Sequence, residues 1–283
     1  MKAEPIYATM NEQRYLVDRF WGKLPDGVRL GVVSTVAVTS KGVVVVAQRD
    51  GPAVVKFAPD GTYLGAWGDD VADPHGINVD HIDRIILVDR DAHEIQFRDL
   101  DGQRLGVLGH RHNPRMQAPF NHPTSAFVAR DGECYVADGY GNSAVHRFAV
   151  DGTLLSTWGS PGSGPGEFTT PHSVWVDRQD RVLVADRENN RVQIFDRSGV
   201  YLTSWGDFYH PMDISEDADG YIYVSDQIPR LSQLDPNGRL VGRCRPVWNI
   251  PHGIACGPNG TIYSVEMNPR SLTKLTPITG PSP

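Results

Sequence analysis

The sequence has little cysteine, no long apolar run and no excess of positive charge, and each absence excludes a class of protein. Three cysteines in 283 residues are too few for a disulfide-dense scaffold. No stretch approaches the roughly 18 consecutive apolar residues of a membrane span, so we expect no membrane partner. The formal net charge of −7 argues against a nucleic-acid partner.

The N-terminal segment also lacks a targeting signal. Residues Met1 to Arg14 have neither the basic start nor the apolar core of a signal peptide. Together with the low cysteine content, this predicts a cytoplasmic protein. Turn-forming residues are abundant instead, with 29 Gly and 21 Pro, which indicates a chain rich in turns and loops.

One motif recurs along the chain: a glycine turn, a short hydrophobic strand and then Trp-Gly. Its copies lie at 60–68, 101–109 (where Leu108-Gly109 stands in place of Trp-Gly), 151–159 and 198–206, with a weaker copy at 237–245 and one without its turn at 13–22. A second motif follows each copy. It consists of a proline turn, a strand of alternating apolar residues, a strand that ends in an acidic residue, and a third strand. Each unit thus holds four short strands in about 40–50 residues, which is typical of a β-propeller blade.

Six such units account for the chain. They begin near Ser34, Pro74, Pro123, Pro171, Pro211 and Pro251. The last unit lacks its fourth strand, which the unpaired strand Tyr15–Trp21 would supply, so that the two ends of the chain close the ring and remove the exposed sheet edges. The sequence predicts an all-β, six-bladed propeller forming one domain over 1–283, with a closing strand at 13–22 and a flexible tail at 276–283.

Histidines occupy one repeated position on alternate units. The residues at this position, which follows the turn proline in five of the six units, are Ser34, His75, Thr124, His172, Met212 and His252. Since the first strand of each blade lines the central channel, the three histidines would lie about 120° apart around it. That arrangement suits one zinc ion or another divalent transition metal, with Zn–N distances of about 2.0–2.1 Å and an open fourth position for substrate.

The alternative for each histidine is a polar turn residue whose hydrogen bonds are satisfied locally. The shared Pro-His-Gly or Pro-His-Ser context favours the metal site. The other seven histidines show no such register; they are His81, His93, His110, His112, His122, His146 and His210.

The second strands return to the same end of the channel, and charged residues follow them. Arg49, Arg90 and Arg187 are suited to binding the carboxylate of a substrate through paired hydrogen bonds. Tyr140 is suited to general acid or base catalysis. The alternative for Arg90 is an ion pair between blades, and the acids that precede these residues are common turn formers.

These motifs resemble the NHL-repeat propellers, and most closely the peptidyl-α-hydroxyglycine α-amidating lyases. The resemblance covers nearly the whole chain and is carried by the motifs at 74–76, 136–143, 170–173, 185–191 and 251–253. It implies that His75, His172 and His252 hold a catalytic zinc. It further implies that Tyr140 and Arg187 act in catalysis, and that Arg49 matches the substrate-binding arginine of the first blade.

The sequence also departs from that family. Gly253 stands where the family has an aspartate that contributes to a structural calcium site, which argues against calcium here. Ile250 replaces a methionine near the third histidine. Gly141 and Ile194 replace two of the cysteines that form disulfides in secreted members, which again favours a reducing compartment.

The resemblance implies a zinc-dependent carbon–nitrogen lyase. Its substrate would be a small or peptide-like N-acyl carbinolamine with a carboxylate, which splits into an amide and an aldehyde such as glyoxylate. Two alternatives remain: a propeller metallo-hydrolase or lactonase, whose ligands are normally carboxylates and amides around calcium, and a non-catalytic interaction scaffold. The sequence leaves the oligomeric state open.

Overall fold

The structure is a computed structural model that describes residues 4–278. It forms six antiparallel sheets around a central channel, which confirms the predicted six-bladed β-propeller. The helical segments of these described residues are two short 3-10 turns, Arg187–Asn189 and Pro258–Gly260. None of the helices within 4–278 has the length and apolar character needed to cross a membrane.

The N-terminal half of the chain contains a hairpin and three blades. The hairpin strands are β1 (Ile6–Met10) and β2 (Gln13–Asp18). Blade 1 contains β3 (Val33–Val38), β4 (Val44–Gln48), β5 (Val54–Phe57) and β6 (Tyr63–Trp67). Blade 2 contains β7 (Pro74–Val79), β8 (Ile85–Asp89), β9 (Glu94–Arg98) and β10 (Arg104–Gly109). Blade 3 contains β11 (Ser125–Val128), β12 (Cys134–Asp138), β13 (Ala144–Phe148) and β14 (Leu154–Trp158).

The C-terminal half supplies the other three blades. Blade 4 contains β15 (Pro171–Val176), β16 (Val182–Asp186), β17 (Arg191–Phe195) and β18 (Tyr201–Trp205). Blade 5 contains β19 (Pro211–Glu216), β20 (Ile222–Asp226), β21 (Arg230–Leu234) and β22 (Leu240–Cys244). Blade 6 contains β23 (Pro251–Cys256), β24 (Ile262–Glu266) and β25 (Ser271–Pro277), and the N-terminal hairpin completes it.

The two ends of the chain close the ring, as predicted. Strand β2 pairs with β25, with Tyr15 opposite Pro277 and Asp18 opposite Lys274. This pairing corrects the predicted tail, because Thr276 and Pro277 lie in a strand; residues 279–283 of that tail lie outside the described residues. Strand β1 was not predicted and gives blade 6 a fifth strand, whose Met10 is buried against blade 5.

The packing between blades explains why Trp-Gly and the glycine turn recur together. The Trp67 ring, at the end of an outer strand, covers Gly102 in the turn of the next blade, and Trp158 covers Gly199 in the same way. A Cβ atom at either glycine would lie 2.6 Å from the ring, closer than side chains approach one another. The ring and the glycine therefore depend on each other at these two blade interfaces.

The buried residue that ends each second strand binds the loop before its own blade. Its side chain accepts a hydrogen bond from a backbone N–H of that loop. The acceptors and donors are Gln48 and Gly31, Asp89 and Asp73, Asp138 and Asn121, Asp186 and Thr169, Asp226 and Tyr209, and Glu266 and Asn249. Because a buried carboxylate must be paired, these residues fix the loops at the histidine end of the channel.

Candidate metal centre and active site

Each of the three predicted ligand histidines occupies a β-bulge. At His75 the register of pairing shifts between Pro74 and Gly76, so that the histidine has no opposite residue. Corresponding shifts occur at His172 and at His252. Because a bulge redirects the side chain of its extra residue, it provides a local means to aim each imidazole at the channel.

The structure brings these three imidazoles together. The candidate ligand atoms of His75, His172 and His252 all lie within 4.8 Å of one another. The ring centroids are 5.0 Å apart for His75 and His172, 5.2 Å for His75 and His252, and 5.0 Å for His172 and His252. Each side chain is at most 3 % exposed. Within residues 4–278, no other set of three His, Cys, Asp or Glu side chains meets the same distance condition.

Hydrogen bonds to the next blade orient two of the rings. The Nδ1 atom of His75 lies 2.7 Å from the carbonyl oxygen of Thr124, and that of His172 lies 2.7 Å from the carbonyl oxygen of Met212. A carbonyl only accepts, so Nδ1 carries the proton and Nε2 keeps its lone pair for a metal. The Nδ1 atom of His252 is close to the main chain of Ser34 but makes no hydrogen bond with any described residue.

Burial keeps all three imidazoles neutral. It lowers the pKa of His75 and of His172 well below the usual value, and the neighbouring imidazoles lower both further. Burial also lowers the pKa of His252 to about 3, with the charge of Arg49 acting in the same direction. The neutral ring is the form that binds metal ions. At neutral pH the three rings are therefore in the protonation state that a metal ion requires.

The phenol of Tyr140, which belongs to blade 3, lies against the histidine cluster. Its oxygen lies 3.0 Å from Nε2 of His75 and 3.2 Å from Nε2 of His172. The guanidinium carbon of Arg187 lies 5.5 Å from the centre of the Tyr140 ring, and that of Arg90 lies 5.6 Å from it. Two cations thus contact the ring whose hydroxyl meets the imidazoles.

Two predicted arginines lie at the histidine cluster. Arg187 places Nη1 3.4 Å from the Tyr140 oxygen, and its Nε donates to Glu188 at 2.8 Å. The positive charge of Arg49 lowers the pKa of all three histidines. The Nε atom of Arg49 is buried and makes no hydrogen bond within the described residues, and its charge is paired with Asp73.

The ion pairs of Arg90 lie within its own blade 2 rather than between blades, and its predicted role in binding a substrate carboxylate stays a prediction. Arg90 contacts the Tyr140 ring and is also ion-paired with Asp73 and Asp91. Asp73, which was not predicted, also lies 3.5 Å from Nε of Arg49. Its place directly before the proline of a histidine motif is the sequence signal that could have identified it.

A second unpredicted acid lies beneath the histidines. Asp213, from blade 5, shares a small cavity with the three rings. It accepts hydrogen bonds from the Ser173 hydroxyl at 2.8 Å and from the Ile254 N–H at 2.9 Å, and burial raises its pKa to about 6. The sequence signal that could have identified it is its place directly after Met212, the fifth of the six register residues.

The glycine after the third histidine is fixed by packing. A Cβ atom at Gly253 would lie 2.6 Å from Cα of Thr35. A side chain could enter here only if the main chain of blade 1 moved. The expectation against calcium, which began from Gly253, stays a prediction.

Comparisons with known proteins agree with this fold and with the predicted resemblance. The family model described as NHL repeat matches residues 168–195. Human NHL repeat-containing protein 3 is 30 % identical, and the alignment covers 93 % of this chain and 84 % of that protein. A probable peptidyl-alpha-hydroxyglycine alpha-amidating lyase of Caenorhabditis elegans is 29 % identical, over 71 % of this chain and 63 % of that protein.

Larger enzymes and solved structures extend the comparison. Rat peptidylglycine alpha-amidating monooxygenase is 27 % identical over 72 % of this chain but only 23 % of its own length. A streptogramin B lyase structure has a TM-score of 0.70 at 12 % identity and covers 93 % of this chain and 98 % of that one. A Xanthomonas campestris gluconolactonase has a TM-score of 0.71 at 17 % identity and covers 98 % and 96 %.

The structural likenesses bear on the fold alone, whereas the sequence relatives include amidating-lyase enzymes. The likeness to human NHL repeat-containing protein 3 extends over nearly the whole chain. The chain belongs to the family of NHL repeat-containing proteins.

Proposed function

We propose that this protein is a metal-dependent carbon–nitrogen lyase that cleaves an N-acyl carbinolamine into an amide and an aldehyde such as glyoxylate. The observation that carries the proposal is the meeting of Tyr140 with the histidine cluster. A phenol at 3.0 and 3.2 Å from two imidazole nitrogens places a proton-transfer group beside a candidate metal site. A protein that served only as a scaffold would need neither.

The residues present fit a transition metal. All three donors are neutral imidazoles, a set that suits zinc and other late first-row ions better than calcium or magnesium. Two rings are held by Nδ1 hydrogen bonds that leave Nε2 as the ligand atom. His75, His172 and His252 would therefore hold one ion, whose charge would stabilise negative charge developing on a substrate oxygen.

The reaction needs only proton movement and the breaking of one bond. The hydroxyl of the N–CH(OH) unit loses its proton, its carbon–oxygen bond becomes a carbonyl, and the carbon–nitrogen bond breaks. The amide nitrogen then takes up one proton, so that the products are a primary amide and an aldehyde, without oxidation or reduction. We assign proton transfer to the Tyr140 hydroxyl, because it is the group that meets the cluster.

The arginines support a substrate that carries a carboxylate. Arg49 has a buried Nε that makes no hydrogen bond within residues 4–278, although Asp73 is its ion-pair partner at 3.5 Å, and Arg187 lies beside the Tyr140 oxygen. A carboxylate next to the carbinol carbon, as in an α-hydroxyglycine, would accept hydrogen bonds from both. This contact would hold the carbinol in one orientation relative to Tyr140, which is a major source of rate enhancement. Arg90 would add positive charge while Asp73 holds it in place.

The lactonase alternative has less support. Its structural neighbour is 17 % identical, and three imidazoles are not the oxygen-rich ligand set of a calcium hydrolase. Measurements of metal content and turnover distinguish the scaffold alternative from the lyase, because a scaffold needs neither.

The test combines elemental analysis with a glyoxylate assay on N-benzoyl-α-hydroxyglycine. We expect about one zinc per chain and release of benzamide and glyoxylate in equal amounts. His75→Ala, His172→Ala and His252→Ala should each lose metal and turnover, while His81→Ala, an exposed control, should keep both. A wild-type protein that takes up no metal, or whose turnover survives His172→Ala, would overturn the proposal.

A further inference from the structure

A histidine outside the metal cluster contacts the loop that holds Tyr140. His93, in blade 2, is 5 % exposed, and its Nδ1 accepts a hydrogen bond of 3.1 Å from the backbone N–H of His122. The two rings also meet edge to face, with centroids 4.4 Å apart. The contact joins blade 2 to the loop that precedes blade 3.

That hydrogen bond fixes the protonation of the His93 ring. A backbone N–H can only donate, so Nδ1 must be the unprotonated nitrogen and Nε2 must carry the proton. His93 also has a left-handed backbone, with φ of 58°. This conformation is uncommon for residues other than glycine, although asparagine, aspartate and histidine adopt it more often than most.

The loop contacted by His93 carries the main chain of Tyr140. The carbonyl of His122 accepts from the Tyr140 N–H at 3.3 Å, and the carbonyl of Asn121 accepts from the Gly141 N–H at 3.0 Å. The fit is close, since a Cβ atom at Gly141 would lie 2.3 Å from the Asn121 side chain. A shift of this loop would therefore move the turn that carries Tyr140.

The turn that ends in His93 reaches Tyr140 by a second route. The His93 N–H donates to the carbonyl of Arg90 at 3.2 Å, which closes the turn. The side chain of Arg90 contacts the Tyr140 ring. One short turn of blade 2 thus contacts both the ring of Tyr140 and, through His122, its main chain.

We propose that His93 is a positioning residue, whose neutral Nδ1 holds the Asn121–His122 loop and thereby keeps the Tyr140 hydroxyl at the histidine cluster. Its effect on turnover rests on the proposed function, whereas its effect on the loop does not. Protonation of Nδ1 would place its N–H opposite the backbone N–H of His122. The hydrogen bond would then be lost and the loop would be released.

The surroundings of His93 favour the neutral form. Burial lowers its pKa, and His122 and His112 lower it further, while Asp138 and Asp91 act in the opposite direction. The hydrogen bond to His122 is therefore fully present at neutral pH and is lost as the pH falls below the ordinary histidine range. We expect the loop to loosen on the acid side before the fold is lost.

Two substitutions separate the hydrogen bond from the backbone conformation. His93→Asn keeps an acceptor near the position of Nδ1 and tolerates a left-handed backbone, whereas His93→Leu removes the acceptor. His112 has a φ of 56° and an exposed side chain, so His112→Leu reproduces the backbone strain while the hydrogen bond between His93 and His122 stays in place.

The first measurements need no turnover. In wild type, the ring ¹⁵N spectrum should show His93 protonated at Nε2, and hydrogen exchange of the 119–141 segment should quicken in His93→Leu but not in His93→Asn or His112→Leu. Zinc content should stay unchanged in all three variants. A proton on Nδ1 in wild type, or unchanged exchange in a folded His93→Leu, would overturn the proposal.

The kinetic measurement follows if wild type releases glyoxylate. His93→Leu should lower kcat by up to about 100-fold with little change in KM, and His93→Asn should restore most of it. Equal kcat in His93→Leu and wild type would contradict the role in positioning. If wild type itself releases no glyoxylate, the proposed function fails, and the exchange and ¹⁵N results still decide the role of His93.

Discussion

The Nδ1 atom of His172 donates a hydrogen bond of 2.7 Å to the main-chain carbonyl of Met212. The two residues occupy the same register position on neighbouring blades, so blade 5 orients the candidate ligand of blade 4. His75 and Thr124 repeat the relationship at 2.7 Å. The orientation of these two candidate ligands therefore depends on contacts between neighbouring blades.

The buried histidines should make the metal-free protein sensitive to acid. The pKa of His172 is lowered in the folded state, mainly by burial, whereas the unfolded chain has the ordinary value of about 6.5. The unfolded state therefore binds protons first as the pH falls, and stability present above pH 6.5 is lost below it. For His172 alone the loss between about pH 6.5 and 5 should be roughly 2 kcal/mol.

Urea unfolding of the metal-free protein at pH 8 and pH 5 tests this expectation. The free energy of unfolding should fall more in wild type than in His172→Gln, which has no group to protonate at this position. His81→Gln, an exposed control, should behave as wild type does. An equal fall in wild type and His172→Gln would contradict the prediction.

Removing the hydroxyl of Tyr140 should separate turnover from metal binding. Tyr140→Phe keeps the ring that contacts Arg90 and Arg187 but deletes the oxygen at the histidine cluster. We expect zinc content to stay at the wild-type level and kcat to fall by roughly 10²–10⁴. Tyr209→Phe, at a half-exposed tyrosine stacked on His210, should leave both unchanged. Loss of zinc in Tyr140→Phe would show a structural role instead.

The features that repeat along the chain could be predicted from its sequence. The blades, the closing strand and the alternate-blade register of His75, His172 and His252 all follow from repeated local patterns. Features that depend on contacts between blades could not: strand β1 has no counterpart in the other units, and Asp73 pairs with Arg49 across a blade boundary. Likewise, the link from His93 to Tyr140 depends on main-chain contacts that residue types do not reveal.

The acidic residue that ends the second strand of a blade should stabilise the fold without affecting metal binding. The buried carboxylate of Asp186 accepts from the Thr169 N–H at 2.8 Å and from Nε of Arg191 at 2.8 Å. Asp186→Ala leaves both donors without that partner, and breaking a buried ion pair costs about 3–5 kcal/mol. The free energy of unfolding in urea should fall by this amount, and much less in Asp151→Ala, where the carboxylate caps an exposed turn. Folded Asp186→Ala should still bind zinc.

The contact between Trp158 and Gly199 should be the most sensitive point of the blade interface. Gly199 has φ of 93°, and a Cβ atom would lie 2.6 Å from the Trp158 ring, whereas Gly27 has φ of 81° and open space around its Cβ position. Gly27→Ala should therefore lose only about 1–2 kcal/mol from backbone strain, and Gly199→Ala should lose a further 1–3 kcal/mol or so from overpacking. Equal losses in urea unfolding would show that the left-handed turn, and not the tryptophan, keeps glycine in the repeated motif.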